Sequence, residues 1–152
     1  MEIYRIESAE RQDEALSGMG AELFGGRWNR IGERAVYCAS HRSLAMLEIL
    51  AHVRSKALFP VNRIIISIEL PVERIFTLKL NDLQVGWDAP ASYWITEGVF
   101  EQYCLLKNRL AIRVPSVIVP EEYNLVLNPG HAKFKQVKIL STKKLVWDDR
   151  LI

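Results

Sequence analysis

Cysteine is almost absent from this chain: Cys38 and Cys104 are the only two, far apart, with no C-x-x-C. A disulfide scaffold is therefore excluded, and a reduced, cytoplasmic setting is expected. Histidine is as sparse, and His41, His52 and His131 show no zinc-ligand spacing with each other or with the cysteines, so no metal site is expected. Long apolar runs are missing: nothing approaches the ~20 residues needed to cross a bilayer. The opening MEIYRIESAERQDEA turns polar and acidic after Ile6, which is not the pattern of a signal peptide. Charge of one sign is lacking too. Twenty Lys and Arg against 18 Asp and Glu leave +2, too little to make non-specific attraction to nucleic acid or membrane the default.

What is present is average. At 49% hydrophobic and 25% charged residues, the chain has a globular composition, and disorder is excluded. Its 152 residues suit one domain, since several cores are expected only from roughly 250–300 residues. No stretch reads as a linker or repeat, so 1–152 is taken as a single domain. Glu2–Ile6 and Arg34–Ala39 read as strands, and Glu10–Glu22 as a loop or weak helix. Ser43–Ser55 is leucine- and alanine-rich and free of Gly and Pro, and reads as a helix capped by Ser40 or Ser43. Val61–Leu70 is rich in β-branched residues and reads as a central strand. Ile75–Leu80 reads as extended and Tyr93–Asn108 as helical despite Gly98. Ala111–Val119 reads as a strand that Pro115 assigns to an edge or a bulge. Val137–Trp147 reads as a strand with Lys138, Lys143 and Lys144 in solvent. Mixed elements with more strands than helices indicate an α+β class.

Three places carry candidate chemistry. In the 43–55 helix, apolar residues wrap almost the whole circumference, which predicts burial. Only Glu48 and His52 can ionise in its body, and at i and i+4 they stack on one face. A carboxylate there is paired, neutral or open to a wet cleft, because burying it alone is costly; an exposed edge carrying a structural Glu–His pair is an equal alternative. The second place is Gly25-Gly26-Arg27-Trp28-Asn29-Arg30. Its glycines permit close backbone approach, and its two arginines can fork phosphate oxygens. It lacks the G-K-[ST] of a P-loop, so a solvated turn around a buried Trp28 explains it as well. The third is Arg113-Val114-Pro115-Ser116, followed by Pro120–Asn124 and Asn128-Pro129-Gly130-His131. No G-x-S-x-G elbow surrounds Ser116, which points to an orienting hydroxyl or a plain backbone contact before a nucleophile. Tyr37 is a core aromatic or a stacking face. Trp87, Tyr93 and Trp94 line a pocket or fill the core, and core is the expectation.

Taken in order, these pieces resemble the RES domain family, the toxin half of Xre–RES toxin–antitoxin pairs, named for an Arg, a Glu and a Ser. Here these are Arg27 in GGRWN, Glu48 in LEILAH and Ser116 in RVPSVIVP. The opening IYRI, VYCAS with Tyr37, and NLVLNPGH also fit, and the resemblance spans essentially the whole chain, with little signature from Val72 to Asn108. It implies an α+β fold similar to ADP-ribosyltransferase toxins, with NAD as substrate and no prosthetic group. The implied catalytic residues are Glu48, Arg27 and Ser116, and the implied NAD-binding residues are Arg27, Arg30, Tyr37, Ser116 and Asn128. It further implies an Xre-like antitoxin that covers the site.

Such chemistry suits these residues. Breaking the nicotinamide–ribose bond builds positive charge on the ribose, which a fixed carboxylate stabilises. Arg27, helped by Arg30, would hold the pyrophosphate, Tyr37 would stack on a ring, and Ser116 would position nicotinamide or its ribose. His52 is expected beside Glu48 as a supporting partner. The expected reaction is NAD cleavage, with protein ADP-ribosylation as the alternative. An endoribonuclease using Glu48 and His52, or a non-catalytic docking module, ranks below both.

Overall fold

The computed structural model describes residues 1–73 and 75–151. β-Branched and aromatic runs form seven strands: β1 (Glu2–Ser8), β2 (Val36–Ala39), β3 (Arg63–Glu69), β4 (Ile75–Thr77), β5 (Ala111–Pro115), β6 (Tyr123–Leu127) and β7 (Lys138–Lys144). They make one sheet in the order β4-β5-β6-β2-β1-β3-β7. Every pairing is antiparallel except β4 with β5. The α+β class is borne out, as is the position of β3 between two neighbours. No helix among the described residues is long and apolar enough to cross a membrane.

The two faces of the sheet divide the core. Directly opposed residues share a face, and successive residues alternate. Ile3, Val36, Cys38, Ile66, Leu125 and Leu127 point to one face and join a cluster completed by Ala15 and Leu70. The other face carries two separate clusters. One gathers Ile112, Val114 and Val126 under Trp28, Trp87 and Phe100. The second sets Ile6 and Ala39 beneath Leu44 and Ala45 of α2 (Arg42–Leu50), with Phe59 and Trp147. Between them only Tyr37 of β2 and Asn124 of β6 are partly exposed on this face.

Several sequence expectations are corrected. The helix ends at Leu50, eight residues after Arg42, and its N-cap is His41 with no side-chain cap; Ser40 instead contacts the His41 ring. It is not buried all round: Leu44 and Ala45 are covered while Leu47 is 41% exposed, because α2 packs into its cluster from one side, through Leu44 and Ala45. The 93–108 helix is broken into α3 (Tyr93–Thr96) and a π turn at Glu101–Leu105. The Phe100 amide donates to Trp28 O instead of to its own helix, and the Arg30 guanidinium occupies the space where a Gly98 side chain would sit. Pro115 is on neither an edge strand nor a bulge. β5 lies between β4 and β6, and Pro115 is its last residue, beyond Arg113 where β4 stops. Its missing N–H therefore leaves no ladder bond unmade. Trp87 is buried, but Tyr93 is 39% and Trp94 69% exposed.

Candidate active site

Glu48 projects from α2 toward β6 and the end of β5. Its Oε1 accepts from Asn124 Nδ2 at 2.5 Å and from Ser116 Oγ at 3.0 Å. Ser116 is fully buried, and its Oγ also accepts from the amides of Ile118 and Val119 at 3.0 and 3.1 Å. With its proton given to Glu48 and its oxygen receiving two amides, this hydroxyl orients the carboxylate. Hydrogen bonds to a charged acceptor each contribute about 1.5–3 kcal/mol, enough to hold one rotamer. Glu48 Oε2 takes no bond from any described residue, and Glu48 is only half-buried, so this oxygen faces the open part of the sheet. His52 does not meet the carboxylate: its Nδ1 contacts the Glu48 backbone carbonyl at 2.8 Å.

Tyr37 ties the glycine loop to the same face. It opposes Val126, while Asn124 opposes Ala39, so Tyr37 and Asn124 are diagonal neighbours about 7 Å apart on adjacent strands. The Tyr37 hydroxyl donates to Asn29 Oδ1 at 2.7 Å and accepts from the Trp28 amide at 3.1 Å. Burial pushes its pKa well above the usual phenol range, so it stays a neutral donor. Asn29 is buried and its Nδ2 donates to the carbonyls of Ala21, Arg30 and Glu33. Gly26 is required here, since a Cβ would lie 2.7 Å from the Tyr37 hydroxyl and 2.9 Å from Asn29 Oδ1.

Arg27, next to Gly26 in this loop, reaches toward the 87–93 segment. Its Nη1 donates to Trp87 O at 2.7 Å, with longer contacts to Ala89 O and Ser92 Oγ, and its guanidinium lies 4.6 Å from the Tyr93 ring centre. The Arg27 carbonyl accepts from Thr96 Oγ1 at 2.5 Å. Arg30 is exposed and pairs with Glu101, turned away toward the π turn. Asn128 lies at the far end of β6 from Asn124; its Oδ1 accepts from the Gly130 amide and its Nδ2 contacts Arg109 O at 3.4 Å. The structure thus groups Glu48 with Ser116, and Tyr37 with the Arg27 loop, on one face; Arg30 and Asn128 point elsewhere. Burial pushes the Cys38 and Cys104 thiols up to about 12, so neither supplies a thiolate nucleophile near neutral pH.

Sequence reasoning includes Asn124 in the Pro120–Asn124 stretch but gives it no role, because its partner lies 76 residues away. The only available signal was strand alternation in YNLVL, which points Asn124 to the same side as Val126.

One Glu48 oxygen is held by Asn124 and Ser116, and the Tyr37 hydroxyl is tied to the Arg27 loop through Asn29 and the Trp28 amide. The chain belongs to the RES domain family, whose model matches residues 2–148. It is 40% identical to the Prs ADP-ribosylating toxin of Sphingobium sp. (strain YBL2), across 98% of this chain and 95% of that protein. It is 36% identical to Toxin Res of Photorhabdus laumondii, across 100% and 97%. Among solved structures, the crystal structure of the M. tuberculosis MbcT–MbcA toxin–antitoxin complex contains the same fold, with TM-score 0.79, 19% identity, and coverage of 95% of this chain and 84% of that one.

Proposed function

We propose that this chain is the toxin of a toxin–antitoxin pair and that it cleaves the nicotinamide–ribose bond of NAD. The observation that carries the reading is the division of labour on Glu48: Oε1 is held by Asn124 and Ser116, and Oε2 is left to the opening. The bond between nicotinamide and the ribose C1′ breaks with its electron pair leaving on the nicotinamide nitrogen. That nitrogen is cationic in NAD, so departure needs no proton. Positive charge grows on the ribose, and a pre-oriented carboxylate stabilises it without reorganising. An acceptor then attacks C1′ and loses its proton; Glu48 Oε2 is the base available to orient a ribose hydroxyl or that acceptor.

Ser116 acts through Glu48 and keeps its oxygen aimed. Arg27 presents five N–H donors; Nη1 is bonded to Trp87 O and Nη2 reaches Ala89 O at 3.4 Å, so the remaining N–H groups are those that can meet a pyrophosphate. Tyr37 and Tyr93 offer ring faces beside that arginine. Arg30 can assist only by leaving Glu101, and Asn128 supports the end of β6 at a distance.

The relative named as an ADP-ribosylating toxin favours a second reading in which a protein side chain accepts the ADP-ribose after the same bond cleavage. The endoribonuclease reading loses support, because His52 and the Glu48 carboxylate are not assembled as an acid–base pair. An Xre-like antitoxin is the expected partner, seated over the opening near Arg27. The test incubates purified protein with NAD, alone and with phosphate, RNA or cell extract, and follows nicotinamide, the fate of ADP-ribose and the integrity of the RNA. Nicotinamide release in every arm supports the reading; RNA cleavage with NAD intact opposes it.

A further inference from the structure

The sheet ends at β7, which is bonded to β3 alone. The Leu145 amide donates to Arg63 O, and this sets the phase of the ladder. Lys143 and Ser141 turn their backbone groups toward β3, so Thr142 and Lys144 turn theirs outward, an unused template for another strand. Beyond Glu69, which opposes Lys138 from β3, the charges along the strand are of one sign. Positions 131–147 contain Lys133, Lys135, Lys138, Lys143 and Lys144 and no Asp or Glu, so the remainder of a chain of net charge +2 is acidic overall. Lys133 pairs with Glu73, whereas Lys138, Lys143 and Lys144 are exposed and make no ion pair among the described residues. Ile139 and Leu140, between them, are 48% and 52% exposed. At the start of β7 lies an open depression of about 470 Å³ whose lining mixes Met1, Leu70 and Val72 with Glu69, Lys135 and Lys138.

We propose that β7 is a docking edge that accepts an extended, acidic segment of a partner protein as an eighth strand. The charges choose among occupants. A parallel copy would set each lysine beside its equivalent, and an antiparallel copy would bring the same lysine-only stretch alongside itself; like charges across a ladder are destabilising. The lysines therefore refuse self-pairing while leaving the ladder open to a strand of opposite sign. Nucleic acid or an anionic membrane can use the lysines but not the outward backbone groups. Only an extended polypeptide uses both, with main-chain bonds giving affinity and acidic side chains giving selection.

The probe is a nine-residue peptide alternating glutamate with valine or threonine, titrated into the full-length protein while amide exchange is followed residue by residue. Exchange at Thr142 and Lys144 is expected to slow at least tenfold at saturation. The double variant Lys143→Glu, Lys144→Glu is expected to bind at least tenfold more weakly. A peptide of the same charge with proline at its centre tests the ladder without altering the protein, and is expected to leave both amides unprotected. Equal binding of the proline peptide, binding without protection at Thr142 and Lys144, tight binding of an RNA oligonucleotide or phosphatidylserine vesicle in place of the peptide, or self-association through β7 would each overturn the proposal.

Discussion

Asn124 makes the shortest bond to Glu48, at 2.5 Å, yet it touches no other candidate group. Replacing it by alanine removes one donor to a charged acceptor, a loss of about 1.5–3 kcal/mol, or roughly 10–100-fold in rate if the carboxylate is the stabilising group. Asn124→Ala is expected to lower kcat with little change in KM, because the oxygen facing the ligand is aimed less well but not removed; steady-state NAD kinetics check it. Glu7 is a second residue whose surroundings make a sharp expectation. Burial pushes its carboxyl upward, but the Ser8 amide and the guanidinium groups of Arg5 and Arg11 outweigh this and hold it below its ordinary 4.5. A depressed folded-state pKa contributes stability above the unfolded value, and this is lost as pH falls through the folded one. Wild type should therefore lose stability relative to Glu7→Gln as pH drops below about 4.5, in denaturant melts across that range.

Among the elements, the loop 25–30 and the segment 87–100 work as one. Trp28 and Trp87 lie 5.6 Å apart, the Phe100 amide bonds Trp28 O, and Thr96 bonds Arg27 O. Gly26→Ala drives a Cβ into the Tyr37 hydroxyl; overpacking of this kind costs about 1–3 kcal/mol. Its thermal midpoint is expected to fall by several degrees, with NAD cleavage weakened because the Tyr37–Asn29 link that sets Arg27 is displaced. Elements were legible in proportion to how local their causes are. β1, β2, β3 and β7 follow from runs of β-branched residues, and α2 from a Gly- and Pro-free stretch. β6 was bracketed by Pro120 and Asn128-Pro129-Gly130 and still passed unread as a strand. The break between α3 and the π turn follows from a bond to Trp28 O that no local pattern encodes. The exposure of Leu47 was misjudged because periodicity reports how apolar a helix is, not how many layers cover it.

For the whole molecule, the sheet positions the site: one face is filled, and the other carries two clusters between which Tyr37 and Asn124 are only partly covered. Family resemblance supplied Arg27, Glu48 and Ser116 from sequence; folding shows that Glu48 and Ser116 touch, that Ser116 is wholly enclosed, and that Asn124 completes them. Arg30 and Asn128 were placed in the set by motif alone, and their side chains are engaged with Glu101 and the Asn128–Gly130 turn instead. The near-neutral charge that first made the chain look featureless is also uneven, with a lysine-only stretch along β7. The central claim concerns one carboxylate. The most direct measurement is nicotinamide release from NAD by the purified protein, beside Glu48→Gln with its thermal midpoint recorded. The glutamine keeps an oxygen for Asn124 and Ser116, so the fold should persist while release falls at least about 100-fold, the scale of a lost electrostatic stabiliser. Undiminished release by a folded Glu48→Gln protein would contradict the account.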